Sequence, residues 1–203
     1  MKKIMFNDRY GLTQAVIKGR KTMTRRLELD AGSEYIARHY NPIYKPQHCY
    51  YRDSRGMCQL INSNTRKLFI PHYKVGEVVA VAQSYNSFYD DTYNPVLFPA
   101  DAGWDNKMFV RADLMPHQIR ISGIKCERLQ DISDDDCMRE GISEAWYEST
   151  DTTLYGYADE KKWTAVEFDT PREAFASLID KVSGKGTWAH NPWVVAYEFE
   201  LVK

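Results

Sequence analysis

The chain has 203 residues, 43% of them apolar and 27% charged, with a formal net charge of −1 at neutral pH. These values fit one folded domain carrying insertions and exclude a polycation, so any nucleic-acid binding has to come from a local basic patch. Fourteen Tyr, eight Phe and five Trp favour strands or a surface on which flat ligands stack, and composition does not separate the two.

In chain order, KIMF (Lys3 to Phe6) reads as a short first strand. Asp8 is placed to cap a helix over Arg9–Lys18, with Leu12, Ala15 and Val16 on one face and Gly19 as its stop. TMTRRL, from Thr22, alternates and reads as a strand leaving the Gly-Arg-Lys turn. Residues 30–72 are polar and tyrosine-rich and read as an insertion, with Arg55-Gly56 as a hairpin tip. VGEVVAVAQSY, from Val75, is the clearest strand; residues 86–113 form a second loop-like insertion. HQIRISGIKCERLQDI, from His117, reads as a long strand with Ile119, Ile121 and Cys126 inward and a bend at Gly123. Ser133 caps a short acidic helix, whose first-turn Asp134–Asp136 suit the helix dipole. A third insertion covers 144–168. Thr170-Pro171-Arg172-Glu173 is a strong helix start, and that helix runs to about Val182 and stops at Ser183-Gly184. WVVAYEFELV, from Trp193, is a terminal strand. The expected architecture is α+β: a single domain over 1–203, a small mixed β-barrel with two or three short helices and three irregular insertions.

The four cysteines, Cys49, Cys58, Cys126 and Cys137, form no CxxC pair. Reduced thiols and a cytoplasmic location are expected, although Cys49 and Cys58 are spaced to pair across a hairpin. No signal peptide and no bilayer-spanning run are read, so no membrane partner is expected. The five histidines are scattered without ligand spacing, and neither metal nor cofactor is expected. Cys137 is expected to be a buried structural thiol.

The segment GRKTMTRR, Gly19 to Arg26, concentrates basic residues around two threonines. Its pattern G-x-K-x-x-T-x-R, on Gly19, Lys21, Thr24 and Arg26 with Arg25 as an extra base, resembles the signature of the ASCH domain. Three further segments are similar to that family in order: YKVGEVVAVA, LQDISDDDCMREGI with its Glu140-Gly141, and NPWVVAYEFELV. The insertions resemble those of longer phage and prophage members. The resemblance implies a PUA-like barrel and a nucleobase, nucleoside or RNA ligand. It also implies two activities: hydrolysis of the amide of an N4-acetylated cytidine by Lys21, Thr24 and Glu140, or cleavage of RNA.

Read physically, Thr24 is a nucleophile only if a base takes its proton, and Lys21 is that base only if burial or neighbouring cations lower its pKa. On one regular strand Lys21 and Thr24 point to opposite faces, so they converge only if Lys21 lies in the turn before the strand. Tight pairing of Glu140 with Lys21 works against the base role; a looser contact lets Glu140 assist proton transfer. Arg20, Arg25 and Arg26 are candidates for phosphate, with Arg26 favoured to face the cleft. In the loop GKGTWAHNPW, Lys185 and His190 are candidate phosphate contacts, Trp193 is a core plug, and Trp188 is either a stacking platform or a second plug of the barrel end. Tyr85 is a candidate for the cleft edge, with a packing role as the favoured alternative. Rival readings are a non-catalytic RNA-binding module and an interaction protein acting through its tyrosine-rich insertions. The acidic run at Asp134–Asp136 disfavours a long duplex.

Overall fold

The computed structural model describes residues 1–29, 35–39, 49–50, 58–62, 64–65, 67, 69–89, 100–159 and 164–202. The Arg55-Gly56 hairpin tip lies outside these residues, and so do the side chains of the suggested Cys49–Cys58 pair. The molecule is α+β, built on a sheet of β1 (Lys3–Ile4), β6 (Val78–Val81), β7 (Gln118–Arg128), β11 (Trp193–Leu201) and β2 (Met23–Arg26) in that order. A short β4 (Cys49–Tyr50) pairs beside β7. β1 runs parallel to β6, and the other pairs are antiparallel. β7 and β11 form the spine because both carry long apolar alternations. Ile119, Ile121 and Cys126 are all buried, as their spacing requires. Between Glu198 and Phe199 the register slips by one, which leaves Ser122 as the extra residue beside Gly123.

The expected barrel does not close by backbone pairing among the described residues. The sheet path ends on β1 at one side and β2 at the other. The two edges nevertheless approach each other, because Arg26 Nη2 donates to the Met5 carbonyl at 2.6 Å.

The helices follow their caps. Ser133 Oγ accepts from the Asp136 amide at the start of α2 (Asp134–Arg139), and Thr170 Oγ1 accepts from the Glu173 amide at the start of α3 (Pro171–Ser183). The first helix differs from expectation. Asp8–Tyr10 is a 3-10 turn, Gly11 adopts φ +65°, and α1 covers only Leu12–Ile17. Asp8 is drawn away from capping because its carboxylate accepts from Thr13 Oγ1 and pairs with Lys107 at 2.8 Å.

The insertions also hold regular structure. In the third insertion β8 (Ser143–Tyr147), β9 (Thr152–Asp159) and β10 (Thr164–Phe168) pair as a three-stranded antiparallel sheet in the order β10-β9-β8. Asp151, at φ +53°, turns the first hairpin, and this sheet packs on α3. The expected irregular loop is therefore corrected. Its Thr, Tyr and Val residues are strand formers, diluted by the exposed acidic residues Glu144, Glu148, Asp151 and Glu167, whereas Asp159 is buried against Arg9. Within 30–72, β3 (Tyr35–His39) pairs with β5 (Cys58–Asn62). A fourth short helix, α4 (Thr187–His190), occupies the Gly-rich loop. No helix among the described residues is long and apolar enough to cross a membrane.

Candidate functional site

The site is assembled from both ends of the chain. α1 ends at Gly19, which takes φ +72° and lets the chain fold back, so the amides of Arg20 and Lys21 both donate to the Ala15 carbonyl. Lys21 therefore lies in the turn, two residues before β2 begins. The turn is docked from both sides: the Thr22 amide donates to the Arg139 carbonyl at the end of α2, and the Phe199 amide of β11 donates to the Thr22 carbonyl. This docking sets Lys21 against Glu140. Gly141 permits it, having φ +105° and an α-hydrogen where a Cβ would lie 3.2 Å from Leu12 and 3.5 Å from Lys21. The Glu-Gly pair in the sequence thus has a steric cause.

Lys21 is 3% exposed and Glu140 4%. Lys21 Nζ donates to the Glu140 carbonyl at 2.5 Å and to its Oε2 at 2.6 Å. Burial, the largest influence, pushes the Lys21 pKa below its ordinary value. Glu140 pulls the other way, and the charges of Arg26 and Arg25 add to the lowering. Thr24, 6% exposed, shares the same pocket wall. Its hydroxyl has no hydrogen-bond partner among the described residues.

The pocket has a volume of about 650 Å³, within the range of roughly 300–1,000 Å³ usual for small-ligand sites. Its polar part holds Lys21, Thr24, Arg26, Glu28 and Glu140, and its apolar wall comes from Phe6 and from Phe175, Leu178 and Ile179 of α3. Lys21 Nζ and Arg26 Cζ each lie 5.8 Å from the Phe6 ring centroid, so one ring faces two cations. Glu28 is held in place by the Tyr197 hydroxyl, which donates to Oε2 at 2.6 Å, and by the His72 amide at 3.0 Å. Burial and that carboxylate raise the Tyr197 pKa, which keeps the phenol a donor.

Of the candidates named from sequence, Lys21, Thr24, Arg26 and Glu140 come together here. Arg25 lines the same pocket but is not available to a phosphate. Its side chain is fully buried: Nε and Nη2 donate to Glu127 Oε1 at 2.9 and 2.6 Å, Nη2 to Asp136 Oδ2 at 2.8 Å, and Nη1 to Glu140 Oε1 at 3.2 Å. Burial alone would lower its pKa; the three carboxylates more than reverse that, and it is raised. Arg20 and Lys185 are exposed and outside the pocket. Tyr85 is buried in a second cluster with Ala80, Ala82, Val110 and Met115, where its hydroxyl accepts from the Arg111 amide at 2.9 Å. Trp188 packs edge-on against Phe175 at 6.2 Å with Arg172 on its ring, and its amide donates to Asp180 Oδ1 at 2.8 Å. It is a packing residue outside the pocket. His190 is exposed on α4, and Trp193 is partly buried against the core with Arg128 over its ring. Cys137 is fully buried, and burial pushes its thiol up to about 12.

Phe6, Glu28 and the α3 wall were not singled out from sequence. Glu28 had a signal, since Thr24, Arg26 and Glu28 alternate along one extended segment. Phe6 and α3 had none, because their place in the pocket depends on tertiary packing. Comparison of the chain with protein-family models, curated proteins and solved structures finds no match in any of the three.

Proposed function

We propose that this chain is an ASCH-type protein with a PUA-like core, and that its pocket hydrolyses the amide of a small N4-acylated cytidine. The observation that carries this reading is the meeting of Lys21 and Glu140, 119 residues apart in sequence, at 2.6 Å in a pocket that also holds Thr24, whose hydroxyl has no partner among the described residues. The approach of β1 to β2 through Arg26 supports the PUA-like assignment.

In this reading neutral Lys21 takes the Thr24 proton as the hydroxyl attacks the acyl carbonyl. The resulting ammonium is held by Glu140 and passes the proton to the departing amine. Water then attacks the acyl-threonine and gives a proton to Lys21; as the acyl–oxygen bond to Thr24 breaks, Lys21 returns that proton to Thr24 Oγ, and the acid leaves as acetate with its own proton lost to solvent. The contact with Glu140 is tight and by itself works against a neutral amine, but burial outweighs it and the net shift of Lys21 is downward; Glu140 then stabilises the ammonium formed in passing. With Arg25 internal and Arg20 and Lys185 outside the pocket, an extended RNA track has less support than a small ligand.

The test is acetate release from N4-acetylcytidine by the pure protein. Turnover is expected to rise with pH, because the base must be deprotonated. The lowered Lys21 pKa places the inflexion below the ordinary lysine value of 10.5. Absence of turnover at high enzyme concentration would remove the amidase reading; an inflexion at or above the ordinary value would remove Lys21 as its base.

A further inference from the structure

The pocket is lined by four cations, Lys3, Lys21, Arg25 and Arg26. Three are occupied. Lys3 Nζ donates to the Met108 and Val110 carbonyls at 2.6 and 2.8 Å. Lys21 is paired with Glu140, and Arg25 with Glu127, Asp136 and Glu140. Arg26 differs. Among the described residues no carboxylate lies within ion-pair distance of it, and one Nη2 bond to the Met5 carbonyl is its whole hydrogen bonding. Its Nε is buried without an acceptor. Glu28, the other lining carboxylate, is engaged by Tyr197 and His72 instead. A partly buried guanidinium without a counter-charge, on a ligand pocket, is a seat for an anion.

We infer that Arg26 seats a phosphate and that the pocket's ligand is a nucleoside 5′-monophosphate rather than a nucleoside. This rests on the nucleoside reading above and narrows it. Thr24 and Arg26 are two residues apart on β2, about 6–7 Å along an extended strand. With the arginine's own reach added, a pyrimidine and its sugar span the interval from an acyl group at Thr24 to a phosphate at Arg26. Among the described lining residues Arg26 is the one cation held by neither a carboxylate nor two carbonyls, and one such group seats one phosphate, which favours a mononucleotide over a polymer.

The experiment titrates cytidine, CMP and a short cytidine-containing oligoribonucleotide into the wild-type protein and into Arg26→Gln and Arg26→Lys. A charge-assisted bidentate contact is expected to make CMP at least about tenfold tighter than cytidine. Arg26→Gln is expected to bring the ratio close to one, and Arg26→Lys to leave an intermediate ratio, which decides the matter if the Gln variant does not fold. Equal affinities in the wild type, or a ratio that survives in Arg26→Gln, would overturn the seat. Tighter binding of the oligonucleotide than of CMP would overturn the mononucleotide. Acetate release from N4-acetylcytidine is read separately. Turnover without a CMP preference defeats the phosphate seat alone, and a CMP preference without turnover defeats the amidase reading alone.

Discussion

Arg25→Met is expected to cost about 3–5 kcal/mol of stability, the range for removing one partner from a buried ion pair. In a chain of this length that lowers the melting midpoint by roughly 6–20 °C. The side chain is fully buried and donates to Glu127, Asp136 and Glu140 at 2.6–3.2 Å. Methionine fills much of the volume but leaves those carboxylates facing each other. Lys125, 2.7 Å from Glu127, and Arg139, 3.3 Å from Asp136, compensate only part of the charge. Glu127, with no side-chain exposure, has no water to turn to. Exposed Arg20 offers the contrast, and Arg20→Ala is expected to stay within about 0.5 kcal/mol of wild type. Urea denaturation of the two variants checks the difference. An Arg25→Met protein as stable as Arg20→Ala would mean that Arg25 is a surface base after all.

That contrast marks where sequence reasoning worked and where it stopped. Local chemistry was legible. The caps at Ser133 and Thr170 needed only residues within four positions, and the long apolar alternation of β7 and β11 declared the sheet. The position of Lys21 before β2 followed from strand geometry: two side chains three residues apart converge only across a turn, and Gly19 makes that turn. Arg25 was misread because its partners lie 102–115 residues away. The four basic residues of GRKTMTRR look alike in sequence, and burial divides them. Arg20 goes to solvent, Lys21 and Arg25 into an internal ion network, and Arg26 to the pocket wall. The sequence leaves Trp188 and Tyr85 open between a ligand role and packing for a related reason, since an aromatic beside glycines or at a strand end suits either a platform or a core. Asp180 settles the case of Trp188 by accepting from the amides of Gly186 and Trp188 and folding that loop onto α3. The sheet of β8, β9 and β10 was hidden by exposed residues on a strand whose inner face is only partly apolar.

Thr24→Val separates a nucleophile from a wall. Valine keeps the shape and removes the hydroxyl. Because that hydroxyl has no partner among the described residues, its loss leaves no orphaned donor or acceptor, and the fold is expected to hold. If Thr24 forms the acyl intermediate, turnover of N4-acetylcytidine is expected to fall at least about 1,000-fold, since removing the nucleophile of a concerted set leaves little catalysis beyond binding. Thr24→Ser keeps the attacking oxygen and is expected to retain most of the rate, slowed by the looser rotamer of a side chain without the β-methyl. Mass spectrometry of the wild type, quenched during turnover, is expected to find one acetyl group on the peptide containing Thr24. Near wild-type turnover in Thr24→Val, with no acetylated peptide, would make water the attacking group. Lys21 would then serve as the base for that water, and Thr24 would only shape the pocket. The two outcomes also differ in what Glu140 must do. Around an acyl-threonine, the Lys21–Glu140 pair must cycle one proton twice, out to the amine and back from water, so Glu140→Gln should slow both halves. With direct attack by water there is one such passage and no acyl-enzyme to accumulate, so an acetylated peptide in Glu140→Gln distinguishes the mechanisms even where the rates do not.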